Sequence, residues 1–110
     1  MTADAPSSAS PTPLSITACD DSAVFCFTGQ LTAQELLRLE QQLLDPRLTR
    51  AGEWVWDMSG LEHLDLICAY ALLRSARRTA SGPIRVRGAR RNVQRTLRYA
   101  GVQAIVTVDA

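Results

Sequence analysis

From Leu14 to Cys19 apolar and polar residues alternate, with Leu14, Ile16 and Ala18 on one side, which predicts a half-buried strand. Asp20-Asp21 reads as a two-residue turn, and Ala23 to Thr28 as a second strand, apolar for most of its length and so more central. Gly29 ends it. The pair forms an antiparallel hairpin in which Cys19 faces Ser22 and Cys26 faces Ser15. Thr32 and Glu35 then have the spacing of a capping box. Leu36, Leu37, Leu39, Leu43 and Leu44 follow at helical spacing, with Arg38, Gln41 and Gln42 outside, until Asp45-Pro46 stops the helix. Arg47 to Gly52 is a polar link.

The middle of the chain changes period twice. Glu53 to Met58 carries Trp54, Val55 and Trp56 and reads as the central strand; Ser59-Gly60 reads as a turn; and a helix begins after Asp65. Asp65 has the position of an N-cap, where a carboxylate accepts from free N–H groups one turn on and suits the helix dipole. Ala69, Leu72, Leu73 and Ala76 then mark one buried stripe, and the helix runs to about Thr79. Ser81-Gly82-Pro83 turns the chain into Ile84-Arg85-Val86-Arg87, a strictly alternating strand with one wet face. A third helix is expected over Ala89 to Ala100, with Val93 and Leu97 inward and Gly101 as its C′ residue. Ala104 to Val108 is the last strand.

The order β-β-α-β-α-β-α-β predicts an α/β fold: one domain over 14–109, a mixed sheet with a parallel core and helices packed on it. In such sheets partners and ligands meet the loops at the carboxyl ends of the strands. The strand, loop and helix start around Asp65 is therefore where a working site is expected.

Charge modifies this picture. Through Leu73 there are ten acidic residues against three arginines, whereas Arg74 to Arg98 holds nine arginines and no acid. Arg91, Arg95 and Arg98 line up on one helix face, which is either a solvated surface or a match for an acidic partner. Cys19, Cys26 and Cys68 form no CxxC pair, and one histidine completes no familiar zinc set with them, so neither a metal nor a cofactor is expected. Buried reduced thiols in a cytoplasmic protein account for the three. No apolar run approaches the ~20 residues of a membrane span, so no membrane insertion is expected. Met1 to Pro13, made of Ala, Ser, Thr and Pro with one Asp, reads as a disordered tail without the basic start of a secretion signal. No nucleophile has a base signal near it and no glycine-rich phosphate loop is present, so the chain does not read as an enzyme.

Four stretches in order, Phe27-Thr28-Gly29-Gln30-Leu31-Thr32, Trp56-Asp57-Met58-Ser59-Gly60-Leu61, Leu64-Asp65 ahead of a helix, and Arg95 to Val102, together resemble the STAS domain of bacterial anti-sigma factor antagonists. The resemblance covers roughly Leu14 to Asp109. It implies a small STAS-like α/β domain that binds an anti-sigma factor, usually a serine kinase with an ATPase-like fold, and so frees a sigma factor for transcription. It also implies a switch: a serine or threonine directly after the aspartate at the start of the second helix, whose phosphorylation breaks the complex.

Here that aspartate is Asp65 and the next residue is Leu66, followed by Ile67 and Cys68. Leucine has no hydroxyl to accept a phosphate, and the charge of about −1.5 to −2 that a phosphoserine brings cannot be added there. The expectation is therefore a partner-binding module without phosphorylation control. Its candidate partner-binding residues are Thr32, Ser59, His63, Asp65, Leu66 and Ile67. Thr32 stands where the family usually has an acid. Ser59 reads as a turn residue and the nearest remaining hydroxyl, and His63 as a cover for the sheet edge. Leu66 and Ile67 either tuck under the loop or form an apolar patch. An accessory STAS subunit of a lipid-transport ABC ATPase complex is the alternative. Nucleic-acid binding through Arg85, Arg87, Arg91, Arg95 and Arg98 lacks a recognition-helix context and is not expected. Self-association stays open.

Overall fold

The computed structural model describes residues 13–109. Of the expected tail, Met1 to Pro13, only Pro13 lies within them; its carbonyl accepts the Thr28 N–H at 2.8 Å. The elements are β1 (Leu14–Cys19), β2 (Ser22–Leu31), a 3₁₀ turn (Ala33–Glu35), α1 (Leu36–Gln42), α2 (Pro46–Arg50), β3 (Glu53–Leu64), α3 (Leu66–Thr79), β4 (Ile84–Arg87), α4 (Arg91–Ala100), a second 3₁₀ turn (Val102–Ala104) and β5 (Thr107–Asp109). The five strands lie in sequence order, β1 antiparallel to β2 and every later pair parallel. This is the mixed α/β sheet that the patterning predicts.

Right-handed crossovers between neighbouring parallel strands carry successive helices to the same side of the sheet, and burial agrees. Leu14, Phe25, Phe27, Trp54, Trp56, Met58, Ile84 and Val86 are buried on the helix side, where Leu39, Leu72, Val93 and Leu97 meet them. On the other face the register brings Ser15, Cys26, Asp57 and Arg87 into one row, and Thr17, Val24, Val55 and Arg85 into the next. Most of that face is wet. Cys19 faces Ser22 and Cys26 faces Ser15, as the hairpin requires, but both thiols are exposed and only Cys68 is buried. The expectation of three buried thiols fails because position parity puts Cys26 on the open face. Trp54 and Trp56 flank Phe25, with ring centroids 5.0 and 6.2 Å away. The Trp54 indole donates to the Leu48 carbonyl at 3.2 Å, while the buried Trp56 indole N–H has no partner among the described residues.

Several boundaries differ from those the sequence predicts. β2 does not end at Gly29 but continues to Leu31, and β3 does not turn at Ser59-Gly60 but runs on to Leu64. The two stay paired through irregularities between Cys26 and Thr28 and between Gly29 and Gln30, where Gly29 takes φ 70°. A bulge of this kind bends the strands without ending their pairing. Arg47 to Gly52 is not a plain link: Asp45 accepts the Arg47 N–H at 2.9 Å, Pro46 takes the first helical position, and a short helix forms. The capping box at Thr32 does not form, since Thr32 makes no side-chain cap bond and a 3₁₀ turn precedes α1. α4 starts at Arg91 rather than Ala89, and β5 is only Thr107–Asp109 because the 3₁₀ turn consumes the residues before it. α3 ends at Thr79 and β4 spans Ile84–Arg87, as predicted.

Candidate functional site

The extension of β3, still paired with β2, delivers Asp65 to the start of α3. The Asp65 N–H donates to the Leu31 carbonyl at 2.9 Å, so the last residue of β2 fixes the point at which the helix begins. Asp65 occupies the N-cap position, and its own carbonyl accepts from the Cys68 and Ala69 N–H groups at 3.0 and 3.1 Å. Its side chain, however, makes no cap bond to α3. One carboxylate oxygen accepts the Ala33 N–H at 2.8 Å and the other lies 2.6 Å from His63 Nε2.

The carboxylate therefore ties together three segments: the turn after β2, the end of β3 and the start of α3. The His63 bond, then the Ala33 N–H, hold the Asp65 carboxyl below its ordinary value. At neutral pH it is a charged acceptor, so the imidazole Nε2–H is the donor. The buried Cys68 thiol strengthens the same junction by donating to the Thr32 carbonyl at 3.3 Å. Burial, and secondarily the Asp65 charge, push this thiol up to about 11, so it stays protonated and able to donate.

Around this polar knot the surface is apolar. Leu66 and Ile67, in the first turn of α3, are 42% and 44% exposed, and Tyr70, one turn further, is 41% exposed. Cys68, Ala69, Leu72, Leu73 and Ala76 face the core. Of the two placements expected for Leu66 and Ile67, the exposed one holds. Tyr70 escapes the sequence reading, although its spacing from Leu66 places it on the same helix face.

Ser59 stands apart from this group. It is not in a turn but in β3, and its hydroxyl and N–H both bond one Asp57 carboxylate oxygen, at 2.7 and 3.1 Å. Those two bonds, the hydroxyl first, hold the Asp57 carboxyl below its ordinary value, with Arg87 assisting. Ser59 also meets the end of β4 so closely that a Cβ on Gly88, which has φ 74°, would lie 2.7 Å from its own Cβ. The structure thus gathers Thr32, His63, Asp65, Leu66 and Ile67 at one end of the molecule and assigns Ser59 to the Asp57 strand pair. Asn92 of α4 closes the far side of the site by donating to the Glu62 carbonyl at 2.9 Å.

This arrangement suits docking. An apolar patch on a helix start, held rigid by a charge-assisted network, offers a partner surface that needs no reordering. The Ser59 hydroxyl donates to Asp57, and the His63 imidazole bonds Asp65. Among the described residues no group of three or more His, Cys, Asp or Glu is placed to hold a metal ion, and no helix is long and apolar enough to cross a membrane.

Residues 15–107 match the family model described as Mlab, STAS domain. No curated protein sequence matches the chain. Among solved structures, the anti-sigma factor antagonist SpoIIAA in its unphosphorylated form is similar over 88% of both chains, with 11% identity and a TM-score of 0.66. The Bacillus cell fate determinant SpoIIAA in its phosphorylated form covers 88% of this chain and 91% of its own, with 10% identity and a TM-score of 0.65. RsbS from Moorella thermoacetica covers 88% and 87%, with 21% identity and a TM-score of 0.61. At these identities the likeness is one of fold.

Proposed function

The chain belongs to the STAS domain family, and from that premise we propose that it is a non-catalytic binding module of the bacterial cytoplasm, an anti-sigma factor antagonist that engages its partner without phosphorylation control. The partner is a serine-kinase type anti-sigma factor. Leu66 carries this reading: it follows the helix-start aspartate directly, is exposed, and has no hydroxyl. Together with Ile67 and Tyr70 it presents a contiguous apolar surface. Burying what is now exposed of each aliphatic side chain supplies roughly 1 kcal/mol. Thr32, His63 and Asp65 hold that surface in place, while Ser59, bonded to Asp57, takes no part in it.

The fold-level likeness to the anti-sigma factor antagonist SpoIIAA supports the partner class. The test is reconstitution with a kinase-type anti-sigma factor isolated on the tagged chain from its native host. Incubation with ATP is expected to leave the chain unphosphorylated and the complex intact, and Leu66→Ser is expected to render the complex sensitive to ATP. Phosphate on the unaltered chain, or a complex that forms only after Leu66→Ser, would overturn the proposal. A second reading is favoured by the Mlab description of the matching model: an accessory STAS subunit of a lipid-transport ABC ATPase complex. Co-purification of an ATPase with a permease, in place of an anti-sigma factor, would select it.

A further inference from the structure

The middle of α3 holds a buried hydroxyl with no hydrogen-bond partner. Ser75 is 1% exposed, and its Oγ has no partner among the described residues, so it lacks even the bond to a carbonyl one turn back that a helical serine commonly makes. Such groups are rare, because burying a polar atom without a hydrogen bond is costly. Ser75 lines a groove of about 240 Å³ between α1 and α3. Leu37, Leu43 and Leu44 line it from α1 and the turn that follows, and Ala71 from α3. Two arginines of α3 also line it. Arg74 is answered by Glu40 at 3.0 Å, whereas Arg78, exposed and three positions beyond Ser75, has no ion pair among the described residues. The groove therefore joins apolar walls to one buried hydroxyl and one uncompensated positive charge.

We propose that this groove binds a short aliphatic carboxylate, a straight-chain acid of roughly six to eight carbons, with its head at Ser75 and Arg78 and its chain along the leucines. A carboxylate accepts from both a hydroxyl and a guanidinium, and the bond to the guanidinium is charge-assisted. Residues 75 and 78 are neighbours on one helix face, so a single head reaches both. Its one negative charge matches the one positive charge that the groove leaves unanswered. A phosphate head, with about −1.5 to −2 charges and three acceptor oxygens, would find too few donors there. The volume sets the chain length: at about 30 Å³ for each water-sized group, the groove takes roughly eight of them. A two-tailed lipid is too large.

Leu66 and Ile67 do not line the groove. The ligand site is therefore separate from the docking platform, and either can fail without the other.

Isothermal titration calorimetry on the full chain tests it, with octanoate as the probe and octan-1-ol and acetate as controls for chain and head. Octanoate is expected to bind one to one and to saturate, and each control to bind at least about tenfold more weakly. Arg78→Gln removes an exposed charge and should cost about tenfold in affinity with an unchanged unfolding midpoint. Ser75→Ala deletes the orphan hydroxyl; the chain should be at least as stable as before, and octanoate should bind about fivefold less tightly. Leu66→Ser should leave octanoate binding unchanged. No saturable heat up to about 10 mM octanoate would overturn the proposal. So would octan-1-ol binding as tightly as octanoate, or either variant of the head site retaining full affinity.

Discussion

Two apolar patches lie on the helical layer, and they are built in different ways. The patch at the start of α3 (Leu66, Ile67, Tyr70) is anchored from below by Asp65, whose carboxylate binds groups from two other segments of the chain. The patch formed by Leu37 of α1 and Leu44 of the turn after it has no such anchor; its polar residues, Glu40 with Arg74 and Arg78, lie in the surface itself. The first is a rigid apolar platform whose charges are already satisfied within the chain. The second carries charges of both signs, of which Glu40 and Arg74 pair with each other at 3.0 Å in the surface itself. Exposed leucine is common to both; what differs is whether a polar network beneath the helix fixes the turn that carries it.

Damage beneath both patches should remove them together. Trp56 is fully buried against Phe25 on the helix side of the sheet, and Trp56→Ala is expected to cost about 3 to 5 kcal/mol, measured by chemical denaturation. Partner capture should then fall with it. Next in size is the change that separates the patches. Leu66→Glu with Ile67→Glu sets two charges into the apolar platform and should lower affinity for the captured anti-sigma factor about 100-fold, or roughly 2.7 kcal/mol. The unfolding midpoint should be unchanged. A midpoint that falls together with the affinity would show that the charges act on the fold and not at the platform.

How much of this was legible along the chain depended on whether the deciding contact was local. Alternation reveals β1 and β4 because one face of each is wet, and the stripe of α3 shows because its buried residues recur every three or four positions. The continuation of β3 through Ser59-Gly60 was not legible. Gly60 lies opposite Thr28 and Leu61 opposite Gly29, so pairing to a distant strand overrides a local turn signal. The short helix at Pro46 was hidden because Asp-Pro both stops one helix and starts another. At the site, the aspartate and the helix start were legible, and the missing hydroxyl at Leu66 was visible by inspection. What the carboxylate bonds was not. A capping rule looks two or three residues ahead, while the donor that Asp65 uses, the Ala33 N–H, lies 32 residues away.

The smallest effect expected follows from that distant bond. Asp65→Asn keeps the shape but replaces an oxygen that accepts with an amide that donates, so either the Ala33 N–H or His63 loses its acceptor. The side chain is 36% exposed, which limits the loss to roughly 1 kcal/mol. The dependence on pH has a definite sign. Bonding depresses the folded-state value of Asp65 below its ordinary 3.8, so the contribution is fully present above that value and is lost as pH falls through the lower, folded-state one. The stability of the unaltered chain should therefore exceed that of Asp65→Asn by a constant margin down to about pH 4, and the two curves should converge in more acidic solution. Asp45 and Asp57, whose carboxyls are also held low, are common to both proteins and cancel from the difference. Because the Asp65 network underlies the α3 platform, partner affinity should follow the same acid limb. Convergence near neutral pH instead would mean that Asp65 is not the charged acceptor at this junction.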